Sequence, residues 1–318
     1  MQNSQLLDFN ITGENNDSLN VIADAYWKNP SVVELQIGYD ASFQLSYKNS
    51  VMGSVLAPDI HIGLEANVLH LFGHLKPENL TVASELISDY LRGEATTVTC
   101  TGTAINTDNQ SIPWLQQMIQ QLQLTTSMPG LSNFTFVRDI LMEKLGIQFV
   151  SNDLILGNAT VNGAFNKPWQ FTEFVLSMSF DFAMSVDGVP FGSVSVANLN
   201  VTNGPNDTIG ADFELVPLKV INETAMSLFI KQMIINSSVT VQITGNASGN
   251  VSTVMGDLYL YNIPFSSTQV LKGANSFKDH PVVVQNAFIV NGTEMQCVIG
   301  LRLTGKNSDH NVCPMLKF

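Results

Sequence analysis

Residues Asn79–Gly102 read NLTVASELISDYLRGEATTVTCTG, and residues Asn222–Gly245 read NETAMSLFIKQMIINSSVTVQITG. Adding 143 to each number of the first stretch gives the second, without a gap. Asn79 meets Asn222, Thr81 meets Thr224, Ser84 meets Ser227 and Ile87 meets Ile230. Thr97, Val98, Thr101 and Gly102 meet Thr240, Val241, Thr244 and Gly245. Each copy opens on asparagine, a good N-cap because its side-chain oxygen accepts a first-turn N–H. Val82, Leu86, Tyr90 and Leu91 then fall about one turn apart, which predicts repeat helices over 79–92 and 222–235. The period then changes. Thr96–Cys100 and Ser238–Ile243 are β-branched runs, expected as strands that end at Gly102 and Gly245.

The match extends upstream. Ala25-Tyr26 resembles Ala164-Phe165, Phe43 meets Phe182, Ser46 meets Ser185, and Gly53-Ser54-Val55 meets Gly192-Ser193-Val194. Each copy is therefore several strands, a helix and a further strand over roughly a hundred residues, a common domain size.

Taken in order, Leu6–Thr12, Leu19–Tyr26, Val33–Ile37, Ala41–Tyr47, Val51–Ile62 and Val68–Leu75 read as extended segments before the first repeat helix. Asn29-Pro30 breaks the second of them, because proline brings no ladder N–H. Ile112–Leu124 reads as a helix, with Pro113 in its first turn. Trp114, Leu115, Met118, Ile119 and Leu122 form its apolar stripe, and 136–145 is expected as a second short helix. In the second copy the expected strands are Asp153–Asn158, Phe174–Ser185 and Gly192–Val201. After Gly245 a Gly/Asn/Ser loop is expected, then a strand at Met255–Tyr261 closed by Asn262-Ile263-Pro264. From Val282 the pattern resembles the opening of a third copy. The expected division is a first unit over 1–110, a helical connector over 111–145, a second unit over 146–255, and a partial third unit or cap over 256–318.

The chain has 318 residues, 45% hydrophobic but only 13% charged, with a net charge of −13. Soluble domains usually carry about a quarter charged residues, so surface polarity needs another source. No basic stripe exists, which argues against nucleic acid and against electrostatic docking on anionic lipid. Asparagine supplies a candidate. Thirteen of the thirty asparagines begin an N-x-S/T sequon: Asn10, Asn16, Asn79, Asn109, Asn133, Asn158, Asn200, Asn206, Asn222, Asn236, Asn246, Asn250 and Asn291. Chance would give about five, so N-glycosylation in a secretory lumen is the favoured reading. A turn-rich β protein would also favour these residues, and Asn79 and Asn222 serve as caps in either case.

Three cysteines fit an oxidising compartment loosely. Cys297 and Cys313 could close a short loop worth about 3 kcal/mol, while Cys100 reads as a buried free thiol in the repeat strand. No leader-like segment precedes Asn10, and no apolar run reaches the length of a membrane span. The expectation is a luminal segment of a longer precursor, with its targeting signal or membrane anchor outside these residues.

Asn29-Pro30-Ser31, Gly38, Phe43-x-Leu45-x-Tyr47 and Gly53 resemble the LEA2-like β-sandwich unit of fungal vacuolar and secreted proteins, the DUF3712 type of tandem repeat. Trp114-Leu115 and Gly256-Asp257-Leu258 leading to Ile263-Pro264-Phe265 extend that resemblance over nearly the whole chain. It is similar to a group that includes a fungal vacuolar membrane protein implicated in terminating autophagy. Lys167-Pro168 departs from the pattern where Asn-Pro stands in the first copy. The resemblance implies a mainly β chain of tandem LEA2-like, immunoglobulin-like sandwiches with interposed α-helices. It also implies a glycosylated luminal face and a role in autophagy control or membrane contact. It brings no catalytic residue.

The chemistry-bearing residues fit that reading. His70 and His74 share a face, with Asp59 and Glu65 near in sequence, but two histidines on a strand are usually ordinary surface groups. No HExxH, paired CxxC, P-loop, GxGxxG or GxSxG pattern occurs. No catalytic residue, cofactor site or metal site is therefore assigned, and a non-enzyme is expected. Two functions remain: a glycosylated structural or interaction module with an unknown protein partner, or a carrier of an apolar ligand such as a lipid. The aromatic and methionine-rich segments Trp169–Phe182 and Leu228–Ile235 motivate the second. The compartment expected first is the vacuolar lumen face of a membrane protein, and second the extracellular space.

Overall fold

The computed structural model describes residues 4–28, 32–106, 112–131, 137–150, 155–166, 173–204, 208–277, 283–290 and 294–300. Asn29-Pro30, Lys167-Pro168, Cys313 and the sequon asparagines Asn109, Asn133, Asn206 and Asn291 lie outside these residues. The first part holds strands β1 (Ser4–Glu14), β2 (Leu19–Lys28), β3 (Leu35–Gln36), β4 (Asp40–Tyr47), β5 (Ser50–Ala57), β6 (His61–Ile62) and β7 (Ala66–Leu75). Helix α1 (Leu80–Leu91), strand β8 (Thr96–Asn106), helix α2 (Pro113–Gln120) and strand β9 (Gln123–Met128) follow. The second part holds β10 (Val137–Phe149), β11 (Ile155–Phe165), β12 (Glu173–Val186), β13 (Val189–Asn203), β14 (Thr208–Val220), α3 (Glu223–Ile235), β15 (Ser238–Thr253) and β16 (Gly256–Lys272). Strands β17 (Val283–Val290) and β18 (Glu294–Gly300) pair as a hairpin.

The fold is mainly β, and its duplication is complete at the level of topology. The first seven long strands close into a barrel in the order β1-β2-β7-β5-β4-β8-β9. The second seven form a sheet in the order β10-β11-β14-β13-β12-β15-β16. Substituting each strand by its counterpart turns one order into the other. The turns repeat too. Lys48-Asn49 joins β4 to β5 with φ of 48° and 62°, and Asp187-Gly188 joins β12 to β13 with φ of 52° and 77°. Two consecutive residues at positive φ make the tight hairpin turn whose twist matches that of its strands.

Alternation builds the core. In β4 the inward residues Ala41, Phe43, Leu45 and Tyr47 are buried, and the residues between them are half-exposed. Helices α1 and α3 plug corresponding ends of the two sheets. Leu86 and its counterpart Phe229 are both fully buried. Phe229 stacks on Phe191 with ring centroids 4.3 Å apart, and Tyr90 meets Phe9 edge-on at 5.6 Å.

Both helices start as the sequence requires. The Asn79 side chain accepts from the Thr81 and Val82 N–H groups, and Asn222 accepts from Ala225 N–H. Gly93, at φ 76°, ends α1 in the left-handed conformation that favours glycine. Asn79→Ala is expected to cost about 1 kcal/mol. Urea unfolding of protein made without glycans isolates the cap from the loss of the sequon.

Tyr90 donates to the Phe9 carbonyl at 3.1 Å, and burial pushes its hydroxyl up to about 12. An unfolded tyrosine ionises near pH 10. The folded value is the higher, so this contribution to stability is complete below about pH 10 and lost as pH rises from about 10 to about 12. Chemical unfolding measured between those limits is expected to show a falling stability, and Tyr90→Phe to flatten that fall.

Several expected boundaries are corrected. Gly102 and Gly245 do not end their strands, which run on to Asn106 and Thr253. They lie opposite Phe43 and Phe182, themselves a repeated pair. A Cβ on Gly102 would collide with the Ile119 carbonyl, and one on Gly245 with the Asp181 carbonyl. Close approach, not strand termination, requires glycine here. The expected loop after Gly245 is strand, and β16 passes through Pro264, which an outer strand tolerates. Among the described residues of the expected connector 111–145, only Pro113–Gln120 is helical. Gln123–Met128 is the strand that closes the first barrel, and of the helix expected over 136–145 the described residues, 137–145, belong to β10. Val33–Ile37 contributes only the two-residue β3. Trp114 leaves the apolar stripe of α2 and is 66% exposed, whereas Leu115 and Ile119 are buried.

Candidate functional site at the joint between the two sheets

Helix α1 has two working faces. Ala83, Leu86, Ile87 and Tyr90 cover the core of the first barrel. The stripe of Leu80, Ser84, Ser88 and Arg92 meets β16 of the second sheet. Strand β16 is an outer strand, and an outer strand presents unpaired backbone groups. The Ser84 hydroxyl accepts from Tyr259 N–H and the Ser88 hydroxyl from Tyr261 N–H, each at 2.9 Å. The hydroxyls in turn donate to the Leu80 and Ser84 carbonyls of the helix. The spacing works because four helical residues rise about 6 Å and two strand residues about 6.6 Å. Serines at i and i+4 thus match N–H groups at j and j+2.

The joint is dry and closed by charge. Ser84 and Ser88 are 2% and 1% exposed. Arg92 donates to the Tyr261 carbonyl at 3.0 Å, to Asp89 at 2.5 Å and to Glu94 at 3.0 Å. Donating to the Glu94 carboxylate holds the Arg92 guanidinium above its ordinary pKa, and Arg92 holds the Glu94 carboxyl below its own. Asp89 also accepts from the Tyr47 hydroxyl at 3.0 Å, and burial first, then Asp89, raises the pKa of that phenol. Gly256 opens β16 at φ 118°, where a Cβ would press on Leu80.

Nine sequon asparagines fall among the described residues. Asn10, Asn16, Asn79, Asn158, Asn200, Asn222, Asn236 and Asn246 are exposed, and Asn250 is half-buried. Each amide nitrogen remains a separate atom from the capping oxygen at Asn79 and Asn222, so a cap and a glycan are compatible there. Asn158 uses its oxygen to accept from Leu215 N–H at 2.7 Å. Cys100 is buried and free, its thiol pushed up to about 11 by burial. A bridge between Cys297 and Cys313 falls outside the described side chains.

His70 and His74 share the outer face of β7, as their spacing requires. Their partners come from β2 and not from Asp59 or Glu65: His70 Nδ1 lies 2.6 Å from Asp24 Oδ1, and His74 Nδ1 lies 3.0 Å from Asn20 Oδ1. Among the described residues no three metal-binding side chains gather. No helix among them is long and apolar enough to cross a membrane.

The interior of the second sheet holds two adjoining voids of about 50 and 40 Å³. Met142, Val161, Phe182 and Phe213 line both. Each has room for only a few water molecules, so a lipid tail would require the sheet to part. A seam exists beside them. The first barrel closes through backbone pairing of β1 with β9 at Gln5 and Ser127. Between β10 and β16 the bridge is made by side chains: Ser267 and Gln269 donate to the Ile140 carbonyl, and Gln269 accepts from Met142 N–H.

Sequence reasoning found the repeated serine but missed its role. Ser84 is buried against β16, whereas its counterpart Ser227 is exposed on α3. The missing signal was the second serine. Ser88 becomes Lys231 and Arg92 becomes Ile235 in the second copy, so the outer stripe diverges where the inner one repeats.

No curated protein matches the chain. Two solved structures are similar at a low level. A solution structure of AT1g01470 from Arabidopsis thaliana is 14% identical, with a TM-score of 0.27, over 45% of this chain and 87% of that one. A biofilm-associated protein, BSP domain, is 10% identical, with a TM-score of 0.19, over 84% of this chain and 59% of that one. Residues 189–308 match the profile of a family described as a protein of unknown function, DUF3712. That span begins with β13, takes in α3 and the β15–β16 hairpin, and supports a DUF3712-type protein.

Proposed function

We propose that this chain is a non-enzymatic, glycosylated array of LEA2-like β-sandwich units that acts as a structural or protein-interaction module. The observation that carries the reading is the joint. The helix of one unit caps the outer strand of the next with two buried hydroxyls and an arginine, which turns a repeat in sequence into a rigid string. The exposed sequons support a luminal or extracellular setting, and the resemblance in sequence supports a vacuolar membrane context and a part in autophagy control. Membrane association then comes from a segment outside this chain, and the partner is a protein that reads the array's surface.

Spin labels at Asn49→Cys and Asp187→Cys, in a Cys297→Ser/Cys313→Ser background, would mark equivalent turns of the two units. One narrow distance distribution is expected. A broad one would mean that the units tumble independently and present no fixed surface.

A second reading is a carrier of an apolar ligand. It is favoured by the apolar lining of the two voids and by the side-chain seam beside them. The volumes favour the first reading.

A further inference from the structure

The outer face of the first barrel carries an apolar row that its surroundings do not cover. Ile22 on β2, Phe72 on β7 and Leu56 on β5 stand directly opposite one another across three adjacent strands. They are 40%, 52% and 37% exposed. The row forms the floor of a groove of about 370 Å³, edged by Thr12, Asn20, Ser42, Ser54 and His74. An apolar floor with an aromatic ring, rimmed by hydroxyl, amide and imidazole groups, is a surface that suits a sugar. The C–H face of a pyranose packs on the floor, and its hydroxyl and acetamido groups bond to the rim.

The register names the sugar's source. Asn10 on β1 lies opposite Ile22, so the row continues Asn10, Ile22, Phe72, Leu56. Asn10 begins the sequon Asn10-Ile11-Thr12, and Thr12 itself edges the groove. Inward residues Phe9 and Ile11 are buried while Asn10 is exposed, which puts its side chain on the outer face. Neighbouring strands lie about 4.8 Å apart, so Phe72 is about 10 Å from Asn10, within reach of an asparagine side chain and its first sugars. The approach is open as well, because β1 pairs with β9 only at Gln5 among the described residues.

We propose that an N-glycan on Asn10 lies back in this groove, its first sugar residues covering Ile22, Phe72 and Leu56. This rests on the glycosylated reading above. In that role the glycan is a structural part of the barrel's outer face, and the groove is its seat.

The test uses the full chain secreted from a glycosylating eukaryotic host, with site occupancy read by peptide mass spectrometry after enzymatic glycan release. Asn10 is expected to be occupied. Asn10→Gln is expected to lower the Tm by about 2–4 °C and to raise binding of a hydrophobic dye. In an Ile22→Thr/Phe72→Ser/Leu56→Thr background, which removes the floor, adding Asn10→Gln is expected to change neither. An occupied Asn10 whose loss moves neither Tm nor dye binding overturns the proposal and leaves the glycosylated reading standing. So does an empty Asn10 in a chain glycosylated elsewhere. A chain with no occupied sequon overturns both.

Discussion

Replacing Ser84 and Ser88 together by valine is expected to split the unfolding of this protein into two transitions. Valine removes each oxygen and adds one methyl group, so crowding at the buried joint acts in the same direction as the lost acceptors. The Tyr259 and Tyr261 N–H groups, which now donate to those oxygens at 2.9 Å, would stay buried without acceptors. A buried donor left unmade costs about 1–3 kcal/mol, so the pair costs about 2–6 kcal/mol at the joint. Neither sheet's own core is touched. The loss should therefore appear in calorimetry as uncoupling, with the second sheet melting earlier than the first. Ser227→Val is the built-in control. It alters the corresponding serine of α3, which is exposed, and should stay within about 0.5 kcal/mol of the parent. A double variant that still melts once, at the parental temperature, would show that the joint contributes nothing to coupling.

Phe229→Ala is expected to be the most damaging single truncation, at about 3–5 kcal/mol. Phe229 and Phe191 are each 1% exposed and stack with planes 9° apart. Phe229 is the residue by which α3 plugs the second sheet, and it already borders the void of about 50 Å³. Strands held in register by backbone ladders cannot collapse into the space left behind, so the cost belongs at the upper end of the range. Urea unfolding should show a lower midpoint with the slope unchanged. A loss under about 1 kcal/mol would mean that α3 is not seated on this core.

Much of this architecture was legible in the repeat. The caps at Asn79 and Asn222, the change of period into β8 and β15, and the paired positions of Phe43 and Phe182 all follow from local chemistry that the duplication states twice. The errors have a common physical cause. Gly102 and Gly245 read as terminators because glycine is the usual punctuation. In the fold they are close-approach residues inside long strands, and nothing local distinguishes the two uses. The run over 136–145 has an apolar pattern compatible with either period, and pairing with β11 and the second sheet decides for a strand. Gln123-Leu124 read as the end of a helix, and 125–128 as part of the connector, because their strand partner, β8, is supplied by distant sequence. The joint itself was hidden for the opposite reason. Ser84 and Ser88 are poor helix-interior residues in isolation, and only the outer strand of the following unit gives them a purpose. The outward face around Phe72 was equally unreadable, since alternation marks a strand's buried side and says little about what covers the other.

The most direct test of the array reading is native mass spectrometry of the chain secreted from a eukaryotic host, after enzymatic glycan removal. Enzymatic release converts each formerly glycosylated asparagine to aspartate. The expected mass is the bare polypeptide plus those small increments, with nothing further lost on denaturation. A larger native mass that falls to the polypeptide on denaturation and matches an extractable lipid would contradict the account, and would make the second sheet a ligand carrier opened along the seam at Ser267 and Gln269.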